Sequence, residues 1–160
     1  MSFIQELDAL QRWIFQASGL SSYRLGHAPP KLARPVIVWE PAARQATRNI
    51  SRWQYIKPVT QYGKLYVANL SQLMEYQARL EQSLEELLNI PVYDKEGIDG
   101  QVVGHLREVQ LLFDQSDQTL DVLMRVSYEA TYRRERPVYP APTEVYQRVV
   151  TPDGEVKTEE

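Results

Sequence analysis

The sequence predicts an α+β domain: a mostly antiparallel sheet, an N-terminal helix and a central helix packed on one face, and an extended C-terminal arm. Three observations predict it. Segments 2–17 and 70–88 repeat apolar residues at steps of three and four, the helical spacing. Segment 120–130 alternates apolar and polar residues over the length of a long half-buried strand. The candidate strands are separated by few residues, which favours antiparallel pairing and a layer of helices on one side.

In the first helix Phe3, Ile4, Leu7, Leu10, Trp13 and Ile14 form the stripe, with Glu6, Asp8 and Arg12 placed on other faces. Ser2 followed by Gln5 has the spacing of a capping box, and Gly19 suits a helix stop. Segment 20–35 holds Gly26, Pro29, Pro30 and Pro35 and reads as a connector without regular structure. Val36 to Trp39 is a short strand ended by Pro41, and 41–50 reads as a polar loop carrying Arg44 and Arg48.

Two strands are expected next, about 52–59 and 61–68, as a hairpin or one bent ribbon. Pro58 lacks a ladder donor and so predicts a sheet edge or a strand end. The second helix carries Leu70, Leu73, Gln77, Leu80, Leu84 and Leu87, widened by Met74 and Leu88, with Asn69 and Gln72 placed as a cap. The stripe lasts under three heptads, so packing on a sheet is expected rather than a coiled coil. After Pro91, Val92 and Tyr93 pair briefly, and 94–100 forms a turn-rich loop. Segment 102–113 is a strand with Val109, Leu111 and Phe113 on one face, followed by a polar turn at 114–119. The long strand places Leu120, Val122, Met124, Val126, Tyr128 and Ala130 on one face; Asp121, Arg125, Ser127 and Glu129 take the other. Beyond residue 135 come Pro137, Pro140 and Pro142, then a small hairpin of 145–150 with 155–158. The division is thus a domain over 1–135 and an arm over 136–160.

Composition narrows the chemistry. The 160 residues contain no cysteine, which removes disulfides, thiolate metal sites and a cysteine nucleophile. Apolar runs are too short for a membrane helix, and no secretory signal is expected at the N-terminus. The formal net charge is −3, a poor match to non-specific duplex binding. That charge is unevenly spread. Residues 1–50 hold 6 basic and 3 acidic side chains, whereas 151–160 hold one Lys against 4 acids. Either this is a solvated surface with an acidic tail, or the two ends are complementary between copies of the chain.

Motifs for nucleotide binding, metalloprotease and hydrolase chemistry are missing from the sequence. His27 lies in a Pro-rich loop and His105 beside Gly104; neither has a second histidine at ligand spacing. Asp94, Glu96 and Asp99, with Gly97 and Gly100, lack the ligand order of a calcium loop and fit a turn. The expectation is therefore no catalytic residue, no cofactor and no metal, hence not an enzyme.

Contact surfaces are expected where a segment has little to pack on: the 41–50 loop, the 114–119 turn and the arm. The interface candidates are Arg44, Arg48, Asp114, Asp117, Arg133, Arg134, Arg136, Tyr139 and Tyr146. The arginine run 133–136 could meet phosphate, acidic groups of a neighbour, or only solvent.

Two stretches carry a resemblance. RNISRWQYIKPVTQYGKLYVANLSQLMEYQARLEQSLEELLNIPVYD and LREVQLLFDQSDQTLDVLMRVSYEATYRRE resemble portions of the neck proteins of long-tailed bacteriophages, above all tail terminator or tail-completion proteins. The resemblance covers roughly 1–135 and not the arm. It implies a structural virion protein assembled in the host cytoplasm. Such proteins form a homo-oligomeric ring, a hexamer, that caps the head-proximal end of the tail tube and ends its polymerisation. The implied partners are further copies of the chain, the tail tube protein, the head-side connector or stopper and, in contractile tails, the sheath. DNA is only cargo passing through an acidic lumen. A head-completion stopper on the capsid side and a small soluble α+β binding module are the alternatives.

Overall fold

The computed structural model describes residues 1–94, 100–114, 120–138 and the backbone of 148–150 and 156–158. Two helices and a mixed, strongly curled sheet make up an α+β fold. Helix α1 spans Phe3–Ser18 and α2 spans Leu70–Glu86. The sheet strands are β1 Ser22–Arg24, β2 Val36–Trp39, β3 Ala43–Arg44, β4 Arg48–Asn49, β5 Gln54–Tyr66, β6 Ile90–Tyr93, β7 Val102–Asp114 and β8 Asp121–Arg133. Their lateral order is β1-β2-β5-β8-β7-β6, with β3 and β4 also on β5. Every pairing is antiparallel except β1 with β2.

Both ends of α1 follow the sequence signals. The Ser2 side chain accepts from the Gln5 backbone N–H, and the Gln5 side chain accepts from the Ser2 N–H at 2.7 Å. Gly19 closes the helix at φ 77°, a left-handed conformation that costs glycine little. Only half of a capping box forms on α2: Asn69 accepts from the Gln72 N–H, while the Gln72 side chain accepts from Ala68 instead.

The core lies where α1 and α2 meet one face of the sheet. Leu10, Ile14 and Leu80 from the helices join Leu65 of β5, Val122, Met124 and Val126 of β8, and Leu106 of β7, all fully buried. Full burial of each such side chain contributes about 1.5–3 kcal/mol. Trp13 spans the two helices, its indole N–H donating to the Ser83 hydroxyl at 3.0 Å.

Three expectations are corrected, and the choice between a hairpin and one ribbon at 52–68 is decided for one ribbon. The 20–35 connector contains β1, which pairs in parallel with β2. The 41–50 loop contains β3 and β4, two short strands on the flank of β5. Segments 52–59 and 61–68 are one continuous strand, β5, paired with β8 from Gln54↔Arg133 to Tyr66↔Asp121. Pro58 therefore sits inside an interior strand. Its C=O accepts from the Gln45 N–H, so its donor-less nitrogen faces the same flank. That flank is where the chain leaves β3 and has not yet begun β4, so no ladder donor is lost.

The alternation in β7 is interrupted as well. Glu108 adopts φ 50°, and the register against β8 shifts between Arg107 and Gln110. Before this bulge an even-numbered residue, Leu106, faces the core; after it Val109, Leu111 and Phe113 do. At the C-terminus β9, Arg148–Val150, pairs antiparallel with β10, Val156–Thr158, within the hairpin expected there. Apart from 136–138, the rest of the arm lies outside the described residues.

Candidate interaction surface

One buried polar cluster organises the end of the sheet where α1 begins. Glu6 is fully buried, not on an outer face of α1. Its carboxylate accepts from both Arg44 Nη atoms, at 2.9 and 3.1 Å, and from the Tyr128 hydroxyl at 2.8 Å. Arg44 Nη2 also donates to the Tyr132 hydroxyl at 3.0 Å. The guanidinium fork matches the carboxylate geometry, so α1, β3 and β8 are tied at one point. Burial, then the neighbouring Glu6 carboxylate, pushes the Tyr128 phenol above its ordinary range, with Arg44 opposing. Arg44 thus makes an internal pairing. Position 6 lies three residues after Phe3 and four before Leu10, inside the apolar stripe; that spacing was the available signal.

Beyond this cluster the sheet ends in arginines interleaved with aromatic rings. Tyr55 of β5 and Tyr132 of β8 are cross-strand partners and stack with centroids 5.3 Å apart and planes 9° apart. The Arg134 guanidinium lies over Tyr55 at 4.9 Å. It donates to Asn49 Oδ1 at 2.7 Å and to the Arg52 carbonyl at 3.1 Å. Arg52 and Arg136 both lie against Trp53, at 5.1 and 5.6 Å. Ring quadrupoles and carbonyls hold these cations in place and leave their charge exposed. Around the corner, His105, Arg107 and Arg133 line a cleft of about 460 Å³ together with Gln54, Thr131 and Tyr132.

The expected interface residues fall in different places. Arg133, Arg134 and Arg136 gather at this end of the sheet, and Arg48 joins them while paired with Glu129. Asp114 lies apart, 4.0 Å from Arg125 at the far end of β8. Asp117, Tyr139 and Tyr146 lie outside the described residues. Sequence reasoning missed Arg52, Trp53, Tyr55 and Arg107, although RWQY at 52–55, like YRRER at 132–136, places cations and rings close together in the sequence.

Apolar side chains are also exposed on α2 and just beyond it. Met74 is 70% exposed and Leu88, past the helix end at Glu86, is 90% exposed, so the apolar stripe is wider than the core it covers. A shallow groove of about 310 Å³ runs between α1 and α2, lined by Trp13, Ala17, Ser83 and Leu87 among others. His27 sits in a turn, its N–H donating to the Arg24 carbonyl, and His105 lies in β7 opposite Pro91. Among the described residues no three metal-ligating side chains converge, and no helix is long and apolar enough to cross a membrane. The arrangement is chemically suited to holding anions and apolar partner surfaces. Compared with known proteins, the chain matches no family model and no curated sequence.

Proposed function

We propose that this chain is a structural protein of a phage neck: a ring subunit that caps the head-proximal end of a tail tube and offers a surface to the head. One observation carries the reading. The two stretches that resemble tail terminator proteins pack as a unit, β5-β8-β7 in lateral order with α2 against the same core. The resemblance therefore follows the central sheet rather than scattered loops. Exposed Met74 and Leu88 and the arginine-rich sheet end supply contact surfaces that a closed heterologous ring needs on each subunit.

Pull-down with isolated tail tube protein and with portal or adaptor protein tests the reading. Capture of tube ends supports termination. Capture of the portal side alone moves the chain to the stopper position across the joint.

A further inference from the structure

We propose that the arginine–aromatic end of the sheet docks the acidic C-terminal segment, 151–160, of a second copy of this chain. The inference deepens the ring reading and rests on it, since it assigns one contact between neighbouring subunits.

The docking surface is defined by unpaired charge. Arg52, Arg107, Arg133, Arg134 and Arg136 make no ion pair among the described residues. Arg34 and Arg44 elsewhere, and Arg48 at this same end of the sheet, each hold a carboxylate. Three of the five unpaired cations are pre-positioned by rings: Arg134 on Tyr55, Arg52 and Arg136 on Trp53. A partner carboxylate meets guanidinium groups that have already lost much of their rotamer freedom, which lowers the entropic cost of docking.

The occupant follows from charge complementarity. Segment 151–160 carries Asp153, Glu155, Glu159 and Glu160 against Lys157 alone. It includes β10, whose backbone pairs with β9. The covalent path favours a neighbour over self. Pro137, Pro140 and Pro142 separate the arginines from the segment. Three prolines within six residues stiffen the sequence that follows the arginines, which disfavours a tight return of the tail onto its own arginines. Each subunit then gives a tail and receives one, the head-to-tail pattern that closes a ring.

The lack of cysteine allows a direct test on the full chain. Glu135→Cys marks the arginine end, and Lys157→Cys marks the tail without removing an acid. The two single variants are mixed at low ionic strength, oxidised, and run on a non-reducing gel; Lys31→Cys mixed with Lys157→Cys is the control. The expected result is a heterodimer band about tenfold above control, lost between about 0.1 and 1 M salt as the Debye length falls from about 10 to about 3 Å. Reversal of charge in Arg134→Glu with Arg136→Glu abolishes the band, and Glu159→Arg with Glu160→Arg restores it. Three results overturn the proposal. One is no band above control. Another is an intramolecular disulfide in the double-cysteine chain with none between the mixed singles. The third is loss of the band to a duplex oligonucleotide that the wild-type chain binds tightly, which makes the surface a nucleic-acid site. Particle mass separates the two readings: closed rings without the cross-link leave the ring reading standing, while cross-linked pairs that never close leave only the docking.

Discussion

Glu6 of α1 and Arg44 of β3 meet through two hydrogen bonds, 2.9 and 3.1 Å long, with the carboxylate wholly buried and the arginine side chain 25% exposed. This pair joins the N-terminal helix to the flank of the sheet, 38 residues away in sequence. Glu6→Ala leaves the Tyr128 hydroxyl without its acceptor and Arg44 with the Tyr132 hydroxyl alone. The expected loss is about 3 kcal/mol, the low end for breaking a buried pair because Arg44 retains some solvent. Urea unfolding measures it. Glu6→Leu with Arg44→Met should lose less than Glu6→Ala alone, since no charge is then left buried.

Tyr128 links stability to alkaline pH. Its folded proton affinity is raised above the ordinary 10.0, so the folded chain keeps a proton that the unfolded chain releases. The unfolded state then binds fewer protons, and stability falls as pH rises past that value. The contribution is fully present below pH 10 and declines by about 1.4 kcal/mol per pH unit above it. Tyr128→Phe should remove this part of the slope between about pH 10 and 11.5, read by urea midpoints at each pH.

Gly63 of β5 and Gly104 of β7 differ in what a methyl group would meet. At Gly63 the added carbon falls 3.0 and 3.2 Å from ring atoms of buried Trp39. At Gly104 it falls 2.9 Å from the sulfur of Met1, the far end of a flexible side chain. Gly63→Ala should cost about 1–3 kcal/mol by overpacking. Gly104→Ala should stay within about 0.5 kcal/mol, because Met1 can swing away. Thermal unfolding of the two variants side by side distinguishes them.

The apolar stripe of α2, with the two leucines after it, divides into a buried part and an exposed part. Leu80→Ala empties a fully buried position and should cost about 2–5 kcal/mol. Leu88→Ser and Met74→Ser should change stability by no more than about 0.5 kcal/mol, since both side chains are exposed. If that face meets a partner, the two serine variants fold normally and are incorporated less into tails.

Much of this fold was legible where one local rule decided the outcome. The ends of α1 follow Ser2, Gln5 and Gly19, and the buried face of β8 follows strict alternation from Val122 to Ala130. Tertiary context decided the rest. Short β1, β3 and β4 have no periodicity of their own and exist because β2 and β5 offer an edge. The bulge at Glu108 reverses the phase of β7 at a residue with no turn signal. Pro58 misled because its missing donor is harmless only where β3 and β4 part. In the candidate surface, Arg133, Arg134 and Arg136 were visible as a run. Their assembly with Arg52, Trp53 and Tyr55 depends on the β5–β8 register, which composition does not reveal.

Negative-stain imaging of lysates made without this chain decides whether it ends a tail tube, as proposed. Tails of abnormal length lying beside DNA-filled heads are the expected result. Tails of normal length joined to heads would overturn the proposal.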